Sequence, residues 1–171
     1  MPLTIESTSS SNSEYVIRDF LASHNSGVLA TSDSTANPHA AVVYYAVRDD
    51  LSLLFATKSE TQKNKNLEVN NNAVYVIYDE DAQSQLQVTG HVFKVDDVED
   101  QRKIINSMYR KSAELSHEEL PPAEKLFAGD FVAYRLDPAV IKLAVYARPD
   151  AEEPEELFET MLFSNGEPAN Q

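Results

Sequence analysis

Phe55-Ala56-Thr57-Lys58-Ser59-Glu60-Thr61-Gln62-Lys63-Asn64-Lys65-Asn66-Leu67 reads as an apolar strand running straight into the capped start of a helix. Leu51, Leu53 and Phe55 alternate with their neighbours, the pattern of a half-buried strand. Ser59 followed by Gln62 fits a capping box, which predicts a helix beginning at Glu60. A helix start has unpaired N–H groups and the positive end of the helix dipole, so it can receive an anion. Thr57, Lys58, Thr61 and Lys63 surround this one. In a chain of net charge −14, three of the 14 cationic side chains (Lys58, Lys63, Lys65) fall in this short span. Two readings stand at this point: a site for a phosphate-bearing ligand, or an ordinary solvated helix start.

Working outward, Ser11 to Glu14 is a second capping-box pattern, followed by Val16, Ile17, Phe20 and Leu21 at helical spacing. Gly27 is expected in the left-handed position that ends this helix. Strands are expected at Val28 to Thr31, His39 to Val47 and Leu51 to Thr57. The last two are joined by the Arg48-Asp49-Asp50 turn, which permits only a hairpin. Beyond the central helix, predicted to run to Val69, Val74 to Tyr78 is β-branched and aromatic, hence a strand. Gln85 to Val95 pairs back on it, with Gly90 at a bulge or close approach. Asp97 to Leu115 is the main helix, with Ile104, Ile105, Met108 and Tyr109 on one face. Pro121-Pro122 marks a loop, and Phe131 to Leu136 and Val140 to Ala147 are two further strands or one interrupted strand. The chain thus divides into a disordered start (1–12), one domain (13–149) and an acidic tail (150–171). Six antiparallel strands joined by hairpins, with helices at the sides, suggest a small barrel. The tail's Leu157 to Phe163 cluster is expected to dock on the body or on a second subunit.

Composition narrows the function. At 171 residues, 42% hydrophobic and 25% charged, the chain is a globular protein able to bury about 70% of its unfolded surface. An excess of 28 acidic over 14 basic residues repels nucleic acid and anionic membranes. The longest wholly apolar run, residues 40–47, is too short to span a bilayer. The polar, serine-rich N-terminus has no leader pattern, so the expected location is cytoplasmic. Without cysteine there is no disulfide, thiolate metal site or cysteine nucleophile. His24, His39, His91 and His117 form no closely spaced ligand pair, so no protein metal site is expected. The four glycines include no G-x-G-x-x-G, which argues against a Rossmann domain. Asp79-Glu80-Asp81 lacks the glycine and glutamate of a calcium loop and is a turn. No G-x-S-x-G elbow supports a hydrolase.

Pro38-His39-Ala40-Ala41-Val42-Val43-Tyr44-Tyr45, then Phe55-Ala56-Thr57, Thr61-Gln62-Lys63, Asn66-Leu67, Asn70 and Gln85-Leu86-Gln87-Val88-Thr89-Gly90 follow one another in an order that resembles the FMN-binding split-barrel superfamily. That superfamily comprises pyridoxamine phosphate oxidases and the related general stress proteins, and the resemblance spans roughly residues 14 to 146. It implies a six-stranded antiparallel split barrel that dimerises with two FMN molecules at the subunit interface. It places the FMN phosphate at Thr57, Thr61, Gln62 and Lys63, with Lys58 an auxiliary charge. Gln85 and the Val43, Tyr44 and Tyr45 backbone would face the flavin ring. The physics suits the transfer: a phosphate dianion prefers a helix N-terminus with lysines, and a flat ring can lie along a strand.

Departures bear on activity. The oxidases carry Arg and Lys where Ala41 and Ala46 stand here, and their Arg-Leu-His segment with its tryptophan is absent, the chain having no tryptophan. Oxidation of pyridoxamine phosphate is therefore not expected, and the general-stress-protein branch is the better match. Three functions remain open: an FMN-dependent oxidoreductase with a small-molecule donor and acceptor, a non-catalytic flavin-binding stress protein, and a relative that binds deazaflavin or haem. No side chain is assigned as a catalytic acid or base.

Overall fold

The computed structural model describes residues 11–115, 130–147, 157–164 and 167–168. The expectations for residues 1–10, Pro121-Pro122, His117 and the acidic run 150–156 lie outside the described residues. The elements are α1 (Ser11–Ser23), β1 (Ser26–Ser32), β2 (Pro38–Tyr44), β3 (Ala46–Val47), β4 (Leu53–Lys58), α2 (Gln62–Val69), β5 (Asn72–Asp79), β6 (Ser84–Val95), α3 (Val98–Leu115), β7 (Phe131–Val145), β8 (Phe158–Ser164) and β9 (Glu167–Pro168). The fold is mainly β, one antiparallel sheet in the order β2-β1-β5-β6-β7-β4-β3. It curls on itself, because β3 pairs β4 while β2 also touches β4. The result is a split barrel.

β7 is a single 15-residue strand where two were allowed. One edge carries β6 along its length; the other carries β4 beside Phe131 to Leu136 and β8 beside Val140 to Ala144. With β8, seven strands of six or more residues replace the six expected among the described residues. The tail's apolar stretch supplies that seventh strand, and Met161 is buried against the core.

The barrel interior is filled by alternate residues of each strand. Leu29, Val43, Phe55, Tyr75, Ile77, Leu86, Val88, Tyr134 and Leu136 are buried, and Ile17 and Leu21 of α1 with Ile104, Ile105 and Met108 of α3 join the same core. Each large side chain so buried contributes about 1.5–3 kcal/mol. No helix among the described residues is long and apolar enough to cross a membrane.

Of two glycines, one does different work from that expected and one does not. Gly27 does not cap α1, which ends at Ser23; it sits in β1, where an added Cβ would lie 2.5 Å from the Val76 carbonyl and 2.6 Å from the Tyr75 ring. Gly90 is at a register shift between β6 and β7, as expected, and a Cβ there would lie 2.0 Å from the Asp137 carbonyl. Leu51 is not in the strand: it closes the β3–β4 turn at φ 63°, with its side chain in the core.

Candidate functional site

At the end of β4 the chain turns into α2 through a hydroxyl pair. Thr57 is buried, and its Oγ1 lies 3.0 Å from that of Thr61. Thr61, not Ser59, is the N-cap: its backbone is extended (φ −73°, ψ 153°) and its Oγ1 accepts from the Asn64 N–H at 3.4 Å. The helix therefore begins at Gln62, two residues later than expected, because Ser59 is drawn toward β7, its N–H donating to the Asp130 carbonyl at 3.1 Å. Gln62 does not reach back either; its Nε2 donates forward to Asn66 Oδ1 at 2.8 Å. Thr61 Oγ1 also donates to the Lys58 carbonyl at 2.8 Å. Its proton is thus used within the cap, and Thr61 and Thr57 shape the helix start.

What the helix start offers a ligand comes from elsewhere. The Thr61 cap and carbonyl take the Asn64 and Lys65 N–H groups. Among the described residues the Gln62 and Lys63 amides have no partner, so they are the free donors of the first turn. Lys58 and Lys63 flank them, both partly exposed, and neither pairs with a carboxylate among the described residues. Burial holds the Lys63 ammonium below the usual lysine range. Two amides, two ammonium groups and a helix dipole with no anion of the chain's own suit a phosphate-sized dianion.

Three asparagines with no role expected for their side chains hold α2 in place. Buried Asn64 accepts the Tyr134 hydroxyl at 2.6 Å and donates to the Ser59 carbonyl at 2.9 Å. Asn66 Nδ2 donates to Thr31 Oγ1 at 3.1 Å, and Asn70 Nδ2 to Ser32 Oγ at 2.9 Å. The available signal was two asparagines inside so short a helix, where their low propensity calls for a tertiary partner.

The remaining expected residues divide into a near group and a distant one. The β3–β4 register (Ala46 opposite Leu54, Val47 opposite Leu53), continued past Tyr45, runs Tyr44 and Val43 toward Ala56 and Thr57. The Val43 side chain is in the core, and its carbonyl accepts the Tyr75 hydroxyl. The Tyr45 side chain points inward too; its hydroxyl donates to the Leu21 carbonyl at 2.8 Å and its N–H to the Asn25 carbonyl at 3.0 Å. Tyr44 alternates to the other face of β2, where its side chain is only partly exposed and packs against the edge of the core. Gln85 is not in this group. It pairs Tyr78, and Tyr44 pairs Ser26 two strands away, so Gln85 stands three strand spacings from Tyr44, about 14 Å.

His39 lies opposite Thr31 with its Nδ1 buried and unpaired. Arg135 Nη2 donates to Asp137 Oδ2 at 2.7 Å. Among the described residues no group of three or more acidic or histidine side chains could hold a metal ion.

With this geometry in view, the comparisons with known proteins agree on the fold. No curated protein matches the chain. Among solved structures it is similar to the conserved hypothetical protein Rv2991 from Mycobacterium tuberculosis (TM-score 0.63, 22% identity, 82% of this chain and 88% of that one). It is similar to PhzG from Burkholderia lata 383, solved with tetrahydrophenazine-1-carboxylic acid (TM-score 0.59, 20% identity, 88% and 91%). It is also similar to the haem storage protein HutZ from Vibrio cholerae (TM-score 0.59, 22% identity, 73% and 89%). The family model for pyridoxamine 5'-phosphate oxidase matches residues 14–143, a span that takes in the strand–helix junction, the β2 strand and Gln85, and the chain therefore belongs to that family.

Proposed function

We propose that this protein binds FMN as a homodimer and acts as an FMN-dependent oxidoreductase on a small molecule other than pyridoxamine phosphate. The observation that carries the reading is the half-buried, unpaired Lys63 ammonium beside the free Gln62 and Lys63 amides at the start of α2. A desolvated cation with no anion of its own gains most from a bound phosphate dianion. In this reading Lys58 and Lys63 and the two amides hold the phosphate, Thr57 and Thr61 set the cap, and the β2 backbone around Tyr44 lies along the ring. The flavin supplies the electron transfer; the chain binds, orients and shields it.

The separation of Gln85 from this group supports a shared site. Tyr78 and Gln85 face outward beside Val28, Val42, Val74 and Val76, an apolar sheet face on which Val42 is 68% exposed and Tyr78 59%. In this reading that exposed face is where the second copy packs. A second copy packed there would bring its Gln85 toward the first chain's ligand.

A second reading, haem, is favoured by the unpaired Nδ1 of His39 and by the naming of HutZ as a haem storage protein. The visible absorption spectrum separates the two. The protein is measured as purified, then after FMN or haemin is added and the excess removed by gel filtration. A retained flavin spectrum near one equivalent per chain is expected. Retention of haemin in place of FMN would transfer the site to the second reading, and a colourless protein would discard both.

A further inference from the structure

Away from the α2 end, one lysine lies largely buried with no charged partner among the described residues. The Nζ of Lys111, on α3, stands 3.8 Å from the centroid of the Tyr45 ring and donates to the Leu21 carbonyl, near the end of α1, at 2.7 Å. The Tyr45 hydroxyl donates to that same carbonyl at 2.8 Å. Asn25, whose carbonyl takes the Tyr45 N–H, donates its side-chain amide to Ser112 Oγ at 3.2 Å. Three elements therefore meet on one amine: the end of α1, the Tyr45 break between β2 and β3, and α3. The link continues. Tyr45 packs edge-on against Tyr75 at 5.3 Å, and the Tyr75 hydroxyl donates to the Val43 carbonyl.

We infer that Lys111 is a positioning residue that holds Tyr45, and through it the Val43–Tyr44 segment of β2, in the geometry the ligand requires. This rests on the FMN reading of the β2 strand given above. The protonated form is the effective one. An ammonium is attracted to the face of a tyrosine ring and to carbonyls at a helix C-terminus; a neutral amine keeps only a weak hydrogen bond. The ionisable groups nearby are Tyr45 and Tyr75 of the sheet, both pushed up by burial; His24 after α1, paired to Asp79 of β5; and Glu114 on α3 itself. None supplies an anion to Lys111, and burial brings its pKa down to about 7. Binding at the β2 strand is therefore tied to the proton on Lys111.

The test compares wild type, Lys111→Arg and Lys111→Met between pH 6.5 and 8.5. FMN affinity is read by flavin fluorescence, and the near-ultraviolet circular dichroism of the protein is read without ligand. The chain has eight tyrosines and no tryptophan, so that band reports tyrosine packing. Wild type should lose about fivefold in affinity over this range, a typical coupling between sites. Its tyrosine band should move with the same midpoint. Lys111→Arg, charged throughout, should keep the low-pH affinity and band at every pH. Lys111→Met should show the weak affinity and the high-pH band at every pH, while melting cooperatively. A tyrosine band that is identical in all three proteins and flat with pH would overturn the inference. If Lys111→Met does not fold, wild type against Lys111→Arg decides, since matching pH profiles overturn it as well. If wild type binds no FMN, the FMN reading fails, while the ligand-free tyrosine titration still decides the role of Lys111.

Discussion

Lys63 keeps its charge against burial, and the energy that opposes it is what a bound anion returns. Replacing Lys63 with Ala should weaken FMN binding by about 1.5–3 kcal/mol, the worth of a hydrogen bond to a charged group. Equilibrium titration checks this, and unchanged affinity would remove the phosphate from this helix start. Asn64 makes the complementary case, because its work is structural. Its side chain answers the Tyr134 hydroxyl and the Ser59 carbonyl. Asn64→Ala leaves both without that partner and should cost about 1–3 kcal/mol in urea unfolding. Adding Tyr134→Phe removes one orphan, so the double variant should cost less than the sum of the two single changes. Additive losses would mean that the two side chains act independently.

Between α1 and α3 the effect of Lys111 on the fold can be read from pH. Its pKa falls from 10.5 in the unfolded chain to about 7 in the folded one. Across that interval the unfolded chain binds more protons, so stability rises with pH, and the penalty is complete below pH 7. Tyr45 and Tyr75 act in the opposite sense at the upper end. Burial pushes both up, so above about pH 10 only the unfolded chain ionises there and stability falls. Thermal melting should therefore show wild type gaining on Lys111→Met between pH 7 and 9.5; a constant difference would exclude the linkage. The elements themselves were largely legible in the sequence. The β3–β4 hairpin, the α2 helix, the β5–β6 hairpin and the Gly90 bulge all follow from periodicity and turn residues. What local pattern could not supply was set by tertiary contact. The Thr61 cap depends on the Asp130 carbonyl, just before β7, holding Ser59 away, Gly27 serves the close approach of Val76 and Tyr75, and Leu51 is turned inward at positive φ by the core. The candidate site was legible as a group of lysines and hydroxyls. The cap itself was not, because local pattern does not show that Thr61 Oγ1 donates to the Lys58 carbonyl.

For the whole molecule, a net charge of −14 makes close approach of two copies unfavourable wherever acidic surfaces would meet. The outward face of β2, β1 and β5 is the exception. Val42, Val28 and Val76 form one cross-strand row of uncharged side chains, with Tyr44, Ser26 and Tyr78 lying beside it. Exposures of 68% at Val42, 40% at Val28 and 59% at Tyr78 are costly to leave in water on a single chain. In the proposed FMN-bound dimer β2 bears both this face and the ring-side backbone, so association and ligand binding should fail together. Val42→Glu, which puts a charge in the middle of the row, should convert a dimer to a monomer in sedimentation equilibrium. If the proposed shared site is right, it should also abolish FMN retention, since the second copy's Gln85 would be withdrawn from the ligand. The substitution is on the surface of one chain, so the monomer should still melt cooperatively. Raised salt should strengthen wild-type association by screening the acidic surround, and leave the variant monomeric. A Val42→Glu protein that remains dimeric with flavin bound would place the interface on another face and return Gln85 to its own chain.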